Sequence, residues 1–279
     1  MQIRLGYDIQ FDIPARTAII ALLNIHSSKV KDLLEPDRLR IEPELQQECY
    51  TDSFGNYCTR VTAEPGQIRF FNSTLIEDSG EVDPVSPDAR EVPVAELPHD
   101  TLQFLLGSRY CEVDLLSEIA ADLFGGVAPG WNRVQAICDW VHNKVRFGYA
   151  YARPTKTALD VFTERTGVCR DFQHLAITFC RCVNIPARYA TGYLGDIGVP
   201  PLPSAMDFSA WLEVYLEDRW WAFDARFNVP RIGRVLMATG RDAADVALTT
   251  SFGSTWLRKF DVVAEEVKAV ARSTVQASS

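Results

Sequence analysis

The chain has 279 residues, of which 47% are hydrophobic, 23% charged and 11% aromatic, a make-up that excludes disordered and fibrous classes and supplies a sizeable core. Its formal charge of −9, from 28 Lys plus Arg against 37 Asp plus Glu, repels phosphate backbones and anionic lipid, so neither nucleic acid nor a membrane is an expected partner. Residues Met1 to Asp8 show no basic segment followed by an apolar run, and no apolar stretch reaches the ~18–20 residues of a membrane span, so the sequence reads as cytoplasmic.

The first part, residues 1–77, alternates in short β-like runs: Ile3 to Phe11, Arg16 to Ile25, Leu39 to Ile41, Cys49 to Tyr50, Tyr57 to Ala63 and Ile68 to Ile76. Turn signals at Asp52–Asn56 and Glu64–Gly66 separate them, which predicts a small antiparallel β domain. Residues 78–98 carry Pro84, Pro87, Pro93 and Pro98 among acidic and small residues and predict a solvated, extended linker. Its acids lack the spacing and glycine of a calcium loop.

Residues 99–270 mix periods. Leu115 to Phe124, Trp131 to Val145 and Ala158 to Glu164 read as helices, and Val168, Phe172, Leu175, Ala176, Phe179, Cys180 and Val183 form one apolar stripe of a fourth. Ala187 to Leu194 reads as a strand, Pro200 to Pro203 as a loop, and Ala210 to Leu216 with Trp220 to Ala225 as a hairpin turning at Glu217-Asp218. Strand-like runs at Arg234 to Ala238 and Leu257 to Val263 flank a helical Asp242 to Ala247, and residues 271–279 read as a frayed tail. The expected class is α+β, with a helix packed on an antiparallel sheet.

The seven cysteines are odd in number and form no CxxC pair or zinc-spaced Cys/His cluster, so most read as free thiols, with no metal and no cofactor implied. Cys180 and Cys182 diverge by about 200° on a helix and read as core. Cys169 opens the apolar-striped helix, where unpaired N–H groups and the helix dipole favour a thiolate, so it is either a nucleophile or one more packed thiol. A two-residue turn sets Leu216 opposite Arg219, Val214 opposite Trp221, Leu212 opposite Phe223 and Ala210 opposite Ala225, an apolar face; Ser209 and Asp224 then share the other.

The run Gly167-Val168-Cys169-Arg170-Asp171-Phe172-Gln173-His174-Leu175-Ala176, then Ile185 to Tyr189, Ala210 to Val214 and Trp220 to Asp224, resembles the bacterial transglutaminase-like superfamily, and the resemblance covers nearly the whole chain. It implies a papain-like core with a Cys, His and Asp triad for acyl transfer, preceded by a β-rich region. The cysteine maps onto Cys169 and the aspartate onto Asp224. The histidine belongs directly before Ala-Trp, where this chain has Ser209.

A serine hydroxyl is not a base near neutral pH, and loss of one triad member typically costs ~10³–10⁶ in rate. No other histidine replaces it: His26, His99 and His142 lie in other segments, and His174 points ~140° away from Cys169 on the helix, in a structural role. Asp171 reads as a first-turn helix acid. Arg170 and Arg188 either contact substrate or pair with acids, and Trp211, Tyr215, Trp220 and Trp221 either line a cleft or pack. Three readings follow. One is a cysteine enzyme acting on amide or peptide bonds of a peptide, protein or small amide, silenced or strongly impaired by Ser209. The second is a pseudoenzyme that binds a peptide or protein, and the third a repurposed acyltransferase using an activated ester or thioester.

Overall fold

The computed structural model describes residues 1–201 and 205–267. In chain order it comprises β1 (Gln2–Ile13), β2 (Thr17–Ala21), β3 (Arg40–Glu42), β4 (Glu48–Thr51), β5 (Tyr57–Ala63), β6 (Gly66–Glu77), α1 (Val113–Phe124), α2 (Trp131–Lys144), β7 (Arg146–Phe147), α3 (Ala158–Glu164), β8 (Thr166–Gly167) and α4 (Cys169–Cys182). It continues with β9 (Ala187–Leu194), β10 (Ser209–Leu216), β11 (Arg219–Phe223), β12 (Arg234–Gly240), β13 (Thr249–Ser251) and β14 (Trp256–Glu266). The α+β class expected from the sequence is the class observed.

Helix α4 is the centre of one core. Its apolar stripe is answered on every side, by α1, α2, α3 and the inner face of β10, so Phe172, Leu175, Ala176, Ile177, Phe179 and Cys180 are all buried. Phe179 packs against Phe124, Trp140 and Phe162 with ring centroids 5.2, 5.4 and 6.1 Å apart. The sheet beneath has the order β11-β10-β9-β12. Its hairpin has the register set by the two-residue turn, with Leu216 opposite Arg219, Val214 opposite Trp221 and Leu212 opposite Phe223. Glu217 takes φ 56° to close the turn.

A second core lies between sheets ordered β14-β1-β6-β3 and β13-β2-β5-β4, and it is continuous with Tyr193, Val235 and Met237 from the opposite face of the β9–β12 sheet. Here the organisation differs from the division at 77 and 99. Strand β14 pairs with β1 from Ile3↔Glu266 to Asp12↔Trp256, and β13 pairs with β2, so residues 249–266 belong to the β sandwich. Val262 and Ala264 bring the alternation that selects this sheet.

Three local expectations are corrected. The segment Asp242 to Ala247 is a turn: Asp242 is buried and its carboxylate accepts from Tyr110 N at 2.8 Å and Ala244 N at 2.9 Å, a side-chain competitor for the helical backbone pattern. Strand β2 ends at Ala21, after which Leu22 N donates to Leu248 O and His26 N to Leu236 O, carrying the chain out of its sheet. The segment 78–98 is extended as expected but is a strap against the core: Ala89 is buried, and Asp83 accepts from Arg234 and from Arg231 N. Of the expected loop at Pro200 to Pro203, Leu202 and Pro203 lie outside the described residues, as does the expected tail at 271–279.

Candidate active site

The start of α4 is built by a glycine and an acid. Asp171 folds back so that its Oδ2 accepts from Val168 N at 2.9 Å, satisfying one of the N–H groups that a helix start leaves open. A Cβ at Gly167 would lie 2.7 Å from Asp171 Cβ, so only glycine admits this return. Arg170 then neutralises the acid, donating Nε and Nη2 to Asp171 Oδ1 at 3.1 Å, with Nη2 also on Arg153 O at 2.8 Å. These pairings make Asp171 structural, and they commit the Arg170 guanidinium to the protein; of the two alternatives for Arg170, the ion pair is the one formed.

Cys169 is partly buried and faces two adjoining cavities of about 70 and 350 Å³, with Asp207 and Ser209 lining both. Tyr149, Asp196 and Arg226 line the smaller one, and Tyr110, Arg170 and Tyr189 the larger. The backbone N–H of Arg170 donates to the sulfur, yet the thiol is pushed up from 9.0 to about 11. Desolvation by burial is the largest cause, and the negative charges of Asp207 and Asp224 add to it against the cation of Arg226. The expected helix-start stabilisation of a thiolate is therefore present and outweighed, and Cys169 is a neutral thiol at physiological pH.

Asp207, Phe208 and Ser209 line both cavities in succession. The Phe208 ring also packs into the second core, against Tyr193 at 5.0 Å, Phe260 at 5.9 Å and Tyr7 at 6.1 Å. Ser209 heads β10 and sits opposite Gly192 of β9. Burial raises the Asp207 carboxyl above its ordinary range, opposed by the N–H of Phe208 and the charge of Arg226.

Asp224 lies just past β11 and lines a neighbouring cavity of about 280 Å³ with Trp131, Gln135 and Arg234. Its Oδ1 accepts from Gln173 Nε2 at 3.0 Å, Arg226 N at 2.9 Å and Phe227 N at 3.2 Å. Gln173, one turn into α4, returns the contact by accepting from Ala225 N at 3.2 Å. The other oxygen, Oδ2, is buried without a hydrogen-bond partner and stands 4.0 Å from Arg234 Nη1, which has none either. Ser209 is thus placed with Cys169, while Asp224 lines the neighbouring cavity with one oxygen fully bonded and the other buried beside Arg234.

The histidines are elsewhere. His174 is fully buried, stacked on Tyr110 at 4.9 Å, and its Nε2 accepts from Ala243 N at 3.1 Å; burial holds its pKa well below 6.5. His142 Nδ1 meets Arg226 O at 2.8 Å. Trp211, an expected cleft residue, is 1% exposed and packs with Ala190 and Leu236 under the Arg234 guanidinium, so it lines none of these cavities. Arg188 pairs with Glu213 at 2.6 Å over Trp220. The residues that sequence reasoning missed are Asp207, Arg226 and Gln173; the alternation of Asp207 and Ser209 around an aromatic was the available signal for the first.

Among the described residues there is no group of His, Cys, Asp and Glu able to hold a metal ion, and no helix is long and apolar enough to cross a membrane. Residues 117–225 match the model of the transglutaminase-like superfamily. The chain is 31% identical to a crystal structure described as that of a candidate cysteine protease from Cytophaga hutchinsonii, covering 97% of this chain and 92% of that one with a TM-score of 0.82. An uncharacterized protein of Mycobacterium leprae (strain TN) is 28% identical over 136 residues, or 47% of this chain, and the chain covers 48% of that relative, about half its length.

Proposed function

Because the chain belongs to the transglutaminase-like superfamily, we propose that it is a cysteine acyl-transfer protein in which Cys169 carries the acyl group, that cleavage of amide and peptide bonds is strongly impaired by Ser209, and that its working substrates are activated acyl groups such as thioesters. The observation that carries this reading is the opening of Cys169 at the start of α4 into cavities that Ser209 also lines. An amide needs a thiolate to attack and an acid to protonate the departing amine, which the imidazolium of the family triad supplies and a hydroxyl cannot. A thioester expels a thiolate that needs no protonation to leave, so the acid half of the imidazole's task is dispensable and only the Cys169 proton has to be taken up as the sulfur attacks. All seven cysteines are free thiols, as suits a reducing compartment, and the cytoplasm is part of the proposal.

A second reading, a pseudoenzyme that holds a peptide or protein without turnover, is favoured by the elevated thiol and the unpartnered Asp224 Oδ2. The test is the rate of Cys169 alkylation against pH in the protein and in Ser209→His, read by mass spectrometry site by site, together with amide hydrolysis. The expected midpoint is near 11 in the protein, falling below neutrality in Ser209→His as the imidazole bonds Asp224 Oδ2 and pairs with the sulfur, with amide cleavage rising by ~10²–10⁴. A thiol that stays inert in Ser209→His, with no acyl-Cys169 from any thioester, would establish the pseudoenzyme.

A further inference from the structure

We infer that Asp207 is the catalytic proton acceptor and donor for Cys169, so that the chain works through a Cys–Asp pair in place of the family triad. This rests on the acyl-transfer reading above and deepens it by naming the group that moves the proton. Asp207 lines both cavities that Cys169 lines, and its carboxyl accepts from the N–H of Phe208, whose ring packs against Tyr193 in the other core. The charged and titratable groups around it are Cys169 and Arg170 from α4, Arg226 beyond β11, Asp196 beyond β9, Tyr149 after β7, and Tyr110 and Tyr189. Arg226 is held by its backbone, N on Asp224 and O on His142, and its guanidinium lies 3.8 Å from the Phe147 ring centroid.

The other two carboxylates are committed. Asp224 spends one oxygen on three donors and buries the other beside Arg234, and Asp196 is 3.5 Å from the Arg231 guanidinium. Among the described residues, no histidine lines either cavity. Asp207 is also the foremost carboxylate acting on the thiol by charge.

A carboxylate beside a thiol is a poor generator of free thiolate, since its charge opposes ionisation. It is a competent acceptor once the C–S bond begins to form and the sulfur becomes strongly acidic. In the first half-reaction the sulfur of Cys169 bonds to the acyl carbon while its proton passes to Asp207. The tetrahedral oxyanion then collapses, the bond to the leaving group breaks with its electron pair, and the leaving group takes the proton from Asp207. In the second half-reaction water adds to the acyl carbon and gives a proton to Asp207; the C–S bond breaks, and Cys169 recovers that proton. The sum is hydrolysis of an acyl donor, with no change of oxidation state.

The experiment uses S-phenyl thioacetate as acyl donor and iodoacetamide as alkylating agent, with rates at Cys169 read by mass spectrometry in the protein, in Asp207→Asn, in Asp207→Glu and in Cys169→Ala. Asp207→Asn removes a negative charge near the sulfur, so alkylation, which needs only the thiolate, rises severalfold. Acetylation falls by ~10²-fold or more because its proton acceptor is gone, and Asp207→Glu restores part of it. A role limited to the electrostatics of the site raises both rates together, and that result overturns the inference while leaving acyl transfer by Cys169 in place. Absence of acetyl-Cys169 in the parent protein overturns the acyl-transfer reading and the inference with it. Should Asp207→Asn fail to fold, the parent's pH profile decides: proton transfer to Asp207 gives a plateau across neutral pH, whereas attack by free thiolate climbs tenfold per pH unit toward 11 and refutes it.

Discussion

Two carboxylates act on the thiol by charge, and they are built on opposite plans. Asp224 sits where the chain leaves β11, with one oxygen locked by Gln173 and two backbone N–H groups and the other sealed against Arg234. Asp207 sits where the chain enters β10 and lines both cavities of the thiol, with its carboxyl accepting from the N–H of Phe208 and facing the charge of Arg226. The first is fixed by hydrogen bonds across the turn after β11; the second shares its cavities with the thiol. Position in a family motif and access to the thiol have come apart in this molecule.

The largest test of that contrast is Phe208→Ala. It removes a ring packed against Tyr7, Tyr193 and Phe260 and should cost ~3–5 kcal/mol in denaturant unfolding, with loss of acetylation at Cys169 even in the folded fraction. An unchanged acetylation rate there would mean that Asp207 is placed by something other than its aromatic neighbour. Next come the two acids themselves. Asp224→Ala strands Gln173 and two backbone donors and should destabilise by about 3 kcal/mol, while Asp207→Asn should alter stability by no more than ~0.5 kcal/mol. Equal losses would erase the distinction between the two acids.

How much of this was legible follows from the same physics. Helix α4 and the hairpin register were readable because each shows a full apolar face at its own period, and a one-residue slip would bury the wrong set. Cys169 was readable from its place at a helix start. The state of its thiol was not, because it is decided by burial in the folded core and by the opposed charges of Arg226 and Asp207, distant in sequence. The turn at Asp242 was misread as helix because its carboxylate is claimed by Tyr110, 132 residues away. Trp211 looked like a cleft residue because an aromatic on a polar-looking strand face has no sequence mark to show that Arg234 and Leu236 cover it.

The smallest expected effect concerns the sign of acid dependence. The Glu164 carboxyl is held down from 4.5 to about 2 by Arg153 and Lys156, so its contribution is present above the unfolded value and lost as pH falls from about 4.5 toward 2. Asp207 is raised, so the protonated form is favoured on folding: its contribution is complete below its ordinary range and lost as pH rises through the raised value. With Glu164 well exposed to solvent, Glu164→Gln should flatten the acid loss by less than ~1 kcal/mol. Thermal midpoints between pH 2 and 7 in Glu164→Gln and Asp207→Asn should bend in opposite directions, and parallel curves would contradict the environments assigned to the two acids.

The pairing of β1 with β14 sets a schedule for the growing chain. Strand β1 is synthesised some 250 residues before the strand that covers its outer edge, with Ile3 meeting Glu266. Until then that edge presents open N–H and C=O groups to other chains, and closing it joins contacts of very large sequence separation, a slow kind of step. The sandwich cannot be sealed before the helical core has been synthesised, so any delay in completing α4 and its sheet lengthens the exposure of β1. During synthesis, the region most exposed to aggregation is therefore the edge of β1 that waits for β14.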